Sequence, residues 1–374
     1  MLATNTFRQF SSMANNSSKT LAKAIVYSEF GNPRDVLRTA TYPVPKCSDS
    51  ELSVRFLASP INPSDINQIQ GVYPSRPPFT YEVSPSKPSA VAGNEGLLEI
   101  TDVGEKLKKY FSPGQWAVMA STNLGTWRTR TNLTSDQLIP LDKTAFPSIA
   151  EAATLTVNPC TAYCLLQKIV PMNRGDWFIQ DGANSMVGLA AIQLGKHFGY
   201  NSINIIRNRP DVDQLKEQLH SMGATVVLTD EEFMNRAWMK ENVGKWTQGG
   251  KVKLGFDCVS GRVASEMAKY MTDGATMATY GAMSRQPLPV PVSLLIFKNI
   301  HFHGFWVTKW KSEHPQEYEK LVLEIQELIR TGVLRSANSK LIDLHETADG
   351  KTFYDTFLNA IEQHGKSIIQ FRYD

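Results

Sequence analysis

The sequence predicts an α/β protein in which a doubly wound parallel sheet is inserted into a mostly β unit. Two observations carry that prediction. From Leu21 to about Pro147 short apolar runs sit between Pro and Gly turns, whereas from Glu151 such runs alternate with helical segments, as in βαβ units. A length of 374 residues also exceeds one typical domain and suits two, each with its own core. In the first region Leu52 to Phe56 alternates apolar and polar with period two, Gly96 to Ile100 forms a second run, and Trp116 to Met119 follows the turn Ser112-Pro113-Gly114. In the second region the strand candidates are Trp177 to Gln180, Ser202 to Ile206, Thr225 to Leu228, Leu254 to Cys258 and Met277 to Tyr280. Beyond Lys309 the texture returns to helices, Tyr318 to Arg330 and Thr352 to Gln363, and ends in a strand-like Ser367 to Gln370. The expected division is 1–20 outside the fold, 21–155 with 309–374 as one domain, and 156–308 as the inserted one.

Composition narrows the function classes. Hydrophobic residues make up 42% and charged residues 20%, with no apolar run near the about 18 residues a membrane-spanning helix needs. The net charge of +3 comes from scattered side chains, so no nucleic-acid partner is expected. Cys47, Cys160, Cys164 and Cys258 lack any CxxC spacing, which argues against a disulfide framework and reads as thiols in a reducing compartment. Before Glu29 no acidic residue occurs, and the opening segment mixes Ser, Thr and Asn with Leu2, Phe7, Arg8 and Phe10. That composition fits a mitochondrial presequence; a disordered tail is the alternative.

Asp176 to Gly188 is the most informative stretch. An apolar strand runs into a small-residue turn, after which Val187, Ala190, Ala191 and Leu194 repeat at helical spacing until Gly199. Such a strand, turn and helix let the backbone approach a pyrophosphate at the helix N-terminus. Gly182 supplies turn freedom and Gly188 close helix packing, although Ala183 and Asn184 stand where glycines are commoner. A second apolar run follows at the distance a Rossmann-type unit requires, and it ends in Arg207-Asn208-Arg209 rather than the acidic residue of NAD sites. Guanidinium groups fork onto phosphate oxygens, so the expected cofactor is NADPH.

With β-rich sequence on both sides of that insert, the chain resembles the medium-chain dehydrogenase/reductase superfamily. Its closest likeness within the superfamily is to fungal mitochondrial 2-enoyl thioester reductases, carried by Ile61 to Pro74 (INPSDINQIQGVYP), Gly93 to Gly96, Gly125 to Trp127, Val157 to Pro159, Ile206 to Pro210, Thr279 to Met283, Ile296 to Asn299 and Gly304 to Thr308. The resemblance implies a GroES-like catalytic domain around the Rossmann insert. It departs from the family at Ala183 and Asn184, at Asn208, and at Ala282. Zinc-dependent relatives carry a G-H-E motif where this chain has Gly93-Asn94-Glu95, and no histidine precedes His197. Asn94 is a poor zinc ligand and Cys47 is the only thiol in the first 150 residues, so no metal is expected.

The same resemblance implies reduction of a trans-2-enoyl thioester, on CoA or acyl carrier protein, in the mitochondrial matrix. It maps the proton donor onto Tyr73. Cofactor contacts map onto Asn158; Asn184, Ser185, Met186 and Val187; Arg207, Asn208 and Arg209; Tyr280, Gly281, Ala282 and Met283; Phe305, Trp306, Val307 and Thr308; and Lys366. Phe302, Phe305 and Trp306 form an aromatic cluster that suits either an acyl channel or a packed sheet edge. A homodimer through the insert, near Lys298 to Phe305, is the superfamily expectation. The rival functions are a quinone oxidoreductase on the same fold and a catalytically idle NADPH-binding regulator.

Overall fold

The computed structural model describes residues 20–336, 339–363 and 365–373. The expected presequence lies outside them. A six-stranded parallel sheet holds Val226–Thr229, Asn201–Ile206, Trp177–Gln180, Val252–Asp257, Thr276–Thr279 and His301–Gly304 in that spatial order. Numbered along the chain this order is 3-2-1-4-5-6. The reversal between Trp177–Gln180 and Val252–Asp257 opens a crevice at the carboxyl ends of the strands, where such sheets bind ligands. A seven-stranded sheet is built around the long strand Glu51–Pro60, which pairs with Leu97–Val103, Arg130–Thr134 and Ser367–Arg372. Leu21–Tyr27 forms a separate three-stranded sheet with Arg38–Pro43 and Ala90–Val91.

The expected strands of the parallel sheet fall within a residue or two of those observed, because the buried ones are written in continuous apolar runs, whereas in the β region Leu52 to Phe56 runs on to Pro60 and Gly96 to Ile100 runs on to Val103. One strand of the parallel sheet was not among the candidates. His301–Gly304 lies on the sheet edge with three of its four residues exposed, so no apolar run marks it. The helices Pro315–Arg330 and Gly350–Glu362 each begin slightly earlier than periodicity suggests, with Pro315 and the cap Asp349 setting their starts.

Leu52, Val54, Phe56 and Ala58 point inward from Glu51–Pro60, as period two requires. Ala58, Leu97, Val118 and Ile368 from the β region share one hydrophobic cluster with Phe178 and Phe256 of the parallel sheet, Ala191 of the helix Met186–Phe198, and Leu321 and Ile325 of Pro315–Arg330. Each large apolar side chain taken out of water there contributes about 1.5–3 kcal/mol. This shared core fixes the two sheets against one another and so fixes any site between them.

Candidate functional site

The phosphate turn is built as its residues dictate. Gly182 has φ +53° in the left-handed region, and a Cβ on Gly188 would stand 2.5 Å from the Ala183 carbonyl oxygen. The Ser185 hydroxyl accepts the Gly188 N–H at 3.2 Å and opens the helix Met186–Phe198, which closes on Gly199 at φ +79°. Val187, Ala190, Ala191 and Leu194 are buried, leaving Asn184 exposed at the tip. Beneath the turn, Asp181 accepts the backbone N–H groups of Cys258 and Val259 at 2.8 and 3.3 Å. Burial and the nearby Asp257 carboxylate push the Asp181 carboxyl well above its usual range. The Tyr280 hydroxyl is buried beside Cys258 and Ser185, while Gly281, Ala282 and the exposed Met283 line the rim.

At the far end of Asn201–Ile206 the three residues Arg207 to Arg209 are exposed. Asn208 turns toward the next helix, its backbone N–H on Asp230 and its side chain on Glu231, each at 2.9 Å. Arg209 pairs with Asp211 at 3.0 Å. Arg207 has no hydrogen bond or ion pair among the described residues, so its guanidinium is the one of the two left for a ligand.

Tyr73 lies in the loop after the helix Pro63–Ile69, and Trp306 lies between the edge strand and the helix Val307–Glu313. They meet across the two sheets. The indole Nε1–H donates to the Tyr73 hydroxyl oxygen at 2.6 Å, with the rings edge-on at 87° and 5.6 Å apart. Burial raises the Tyr73 phenol above its ordinary value, opposed by hydrogen bonds from Trp306 and Thr308. An indole can only donate, so the Tyr73 oxygen is the acceptor there and keeps its own proton to give elsewhere. A cleft of about 970 Å³ opens beside the pair, lined by Ser75, Trp306, Thr308, Ser121 and Thr122 and continuing past Leu138, Ile139 and Tyr318. Lys311 also lines it, over the Tyr318 ring at 5.1 Å, and burial pulls its ammonium down to about 8.

Behind Tyr73 sits a buried polar cluster. Lys366 donates to the Asn62 side chain and to the Ile61 carbonyl, and burial lowers its pKa while Glu95 and Asp65 oppose the fall. Asn62 in turn donates to Glu95 at 2.9 Å, and the other Glu95 oxygen accepts the Thr156 hydroxyl at 2.9 Å and the Val157 N–H at 2.8 Å. The next residue, Asn158, opens the helix Asn158–Lys168 with a buried side-chain amide nitrogen that has no partner. A buried orphan donor implies a missing acceptor.

A family model described as zinc-binding dehydrogenase matches residues 187–327. The mitochondrial enoyl-[acyl-carrier-protein] reductase of Schizosaccharomyces pombe is 68% identical over 366 residues, spanning 98% of each chain. The chain belongs to this reductase family. The Yarrowia lipolytica reductase of the same name is 39% identical, covering 83% of this chain and 80% of its own. A solved Etr1p/NADP/crotonyl-CoA complex superposes with a TM-score of 0.89 at 36% identity, over 94% of this chain and all of the other.

For a member of the reductase family the metal position is instructive. Asn94, at the place of the zinc relatives' histidine, donates to Asp65 and to Gln68 at 2.9 and 3.0 Å and accepts the Asn123 N–H at 2.9 Å. Its amide is fully used within the protein. The aromatic cluster divides between the two arrangements its sequence allowed. Of Phe302, Phe305 and Trp306 only Trp306 reaches the cleft; Phe302 packs on the sheet core, and Phe305 is 8% exposed inside the shared core, leaving only its backbone for a ligand. Val307 likewise packs on that core, whereas Thr308 faces the cleft. The Lys366 ammonium points inward, onto the Asn62 side chain and the Ile61 carbonyl. Asp65, Gln68, Asn123 and Lys311 were not singled out from sequence. Asp65 and Gln68 lie inside the long matching motif, but only the fold shows that Asn123 reaches Gln68 and Asn94.

Proposed function

We propose that this chain is a mitochondrial NADPH-dependent enoyl thioester reductase that converts trans-2-enoyl thioesters into saturated acyl thioesters in fatty acid synthesis. The observation that carries the reading is the Tyr73 hydroxyl, held by Trp306 beside a cleft that Trp306 and Thr308 line together with residues of the β region.

The cofactor fits the residues present. Gly182, Ser185, Met186 and Val187 would receive its pyrophosphate, with Asn184 at the tip. Arg207 would take its 2′-phosphate, flanked by Asn208 and Arg209. Tyr280 to Met283 and the Phe305 to Thr308 backbone would border it, and the unpartnered Asn158 amide and Lys366 would meet its nicotinamide end. When bound, NADPH supplies the hydride that reaches the β carbon of the enoyl thioester. Charge then builds on the thioester oxygen, and hydroxyl and N–H donors around the cleft stabilise it without a metal. Tyr73 supplies the proton for the α carbon. Burial keeps its phenol protonated at working pH, and the Trp306 N–H fixes its oxygen while leaving its proton free.

We further propose that enoyl-CoA and enoyl acyl carrier protein both serve as carriers, and that two copies pair through the edge strand His301–Gly304. The neighbouring Val292, Ile296 and Phe297 are 63%, 67% and 79% exposed, an apolar patch beside an unpaired edge. Phe297→Asp should shift the protein to monomer in sedimentation; an unchanged mass would place the interface elsewhere. The reaction itself is tested by NADPH consumption with crotonyl-CoA against a small quinone. Butyryl-CoA as product supports the reading, and turnover with the quinone alone overturns it.

A further inference from the structure

Asp65 is fully buried, at the third position of the helix Pro63–Ile69, where its carboxylate accepts the Asn62 N–H at 2.9 Å. Its other oxygen accepts one hydrogen of the Asn94 side-chain amide at 2.9 Å. The second Asn94 hydrogen goes to the Gln68 carbonyl oxygen at 3.0 Å. The Gln68 amide nitrogen then faces the Ser75 carbonyl and the Asn123 side-chain oxygen, both at 2.8 Å, and the Asn123 amide nitrogen donates to the Ser75 hydroxyl at 2.9 Å.

The directions of the Asn94 and Gln68 amides are each checked by a backbone group. The Asn94 oxygen must face Asn123 because it accepts that residue's N–H, and the Gln68 nitrogen must face Ser75 because it meets a carbonyl. The Asn94 amide therefore donates in both directions, to the acceptor-only carboxylate of Asp65 and to Gln68, and Gln68 carries the link on to the backbone two residues beyond Tyr73. We propose that Asp65 is the positioning residue of this enzyme, acting through Asn94 and Gln68 to hold the Tyr73 loop against Trp306.

The surroundings of Asp65 make the device sensitive to its charge. The groups facing it are Lys366 and Glu95 from the cluster below and the phenols of Tyr73 and Tyr27. Burial pushes its carboxyl up to about 6, against the hydrogen bonds from Asn94 and Asn62 and the charge of Lys366. A proton on either oxygen meets a donor, the Asn62 N–H or the Asn94 amide, so one of the two hydrogen bonds that tie Asp65 to its neighbours is lost.

This rests on the enoyl reductase reading, and the test separates the two. Turnover of crotonyl-CoA is measured across pH for the native enzyme, Asp65→Asn, Tyr73→Phe and the double variant, with NADPH binding followed separately by fluorescence. Absence of turnover in the native enzyme sinks the functional reading. Given turnover, Asp65→Asn should lower kcat about 10-fold or more, as small misplacements of a reacting group do, and erase an acid limb centred near pH 6. The double variant should be no slower than Tyr73→Phe, because both changes act through one hydroxyl. Losses that multiply, or an acid limb that survives Asp65→Asn, overturn the inference. If Asp65→Asn does not fold, the limb must be present in the native enzyme and absent from the residual rate of Tyr73→Phe; a limb common to both overturns it.

Discussion

Tyr73 and Trp306 show how much one hydrogen bond between distant residues settles. In the sequence Tyr73 stands beside Pro74 and only the resemblance points to it as the proton donor, while Trp306 belongs to an aromatic cluster that suits either a channel or a packed edge. Their side chains lie 233 residues apart in the chain and 2.6 Å apart in space. Tyr73→Phe should lower kcat about 100-fold while leaving NADPH affinity unchanged. A rate within a factor of about two of the native one would remove the hydroxyl from the chemistry. At the other end of the site, Arg207→Ala should raise the Michaelis constant for NADPH and leave that for NADH nearly alone, read from paired saturation curves. Arg209→Ala should do less, because Asp211 already engages that guanidinium. This ranking came from the structure, since the two arginines read alike in the sequence.

Among the elements, those with strong local signals were legible and those defined by their neighbours were not. The unit from Trp177 to Gly199 announces itself, because an apolar strand, a left-handed Gly182 and a helix ended by Gly199 are each written in consecutive residues. The edge strand His301–Gly304 carries no such signal; it is a strand only because Thr276–Thr279 pairs with it. The amide chain from Asp65 to Ser75 was illegible for the same reason, since Asn123 joins it from another loop. Gly188→Ala tests the tightest packing in the phosphate turn. Its new methyl would stand 2.5 Å from the Ala183 carbonyl oxygen, a backbone atom with little room to yield. A loss of about 1–3 kcal/mol in urea unfolding, with weaker NADPH binding, is expected. Unchanged stability and affinity would mean that the turn and helix can separate at no cost.

The whole molecule ties its chemistry to its stability through charges buried between the two sheets. Asp65 binds its proton more tightly folded, at about 6, than unfolded, near 3.9. Its contribution to stability is therefore full below about pH 4 and lost as pH rises through about 6. Other carboxylates shift oppositely, Glu232 and Glu266 among them, so the relevant quantity is the difference from Asp65→Asn. Across that window the native protein should lose thermal stability relative to the variant; a constant difference would show that Asp65 does not titrate there. The central claim is the route of the two hydrogens. Crotonyl-CoA is reduced in deuterated water with unlabelled NADPH, then in ordinary water with NADPH deuterated at its transferable position, and the product is read by NMR. The account predicts solvent deuterium at the α carbon and cofactor deuterium at the β carbon; the reverse pattern, or no saturated thioester at all, would contradict it.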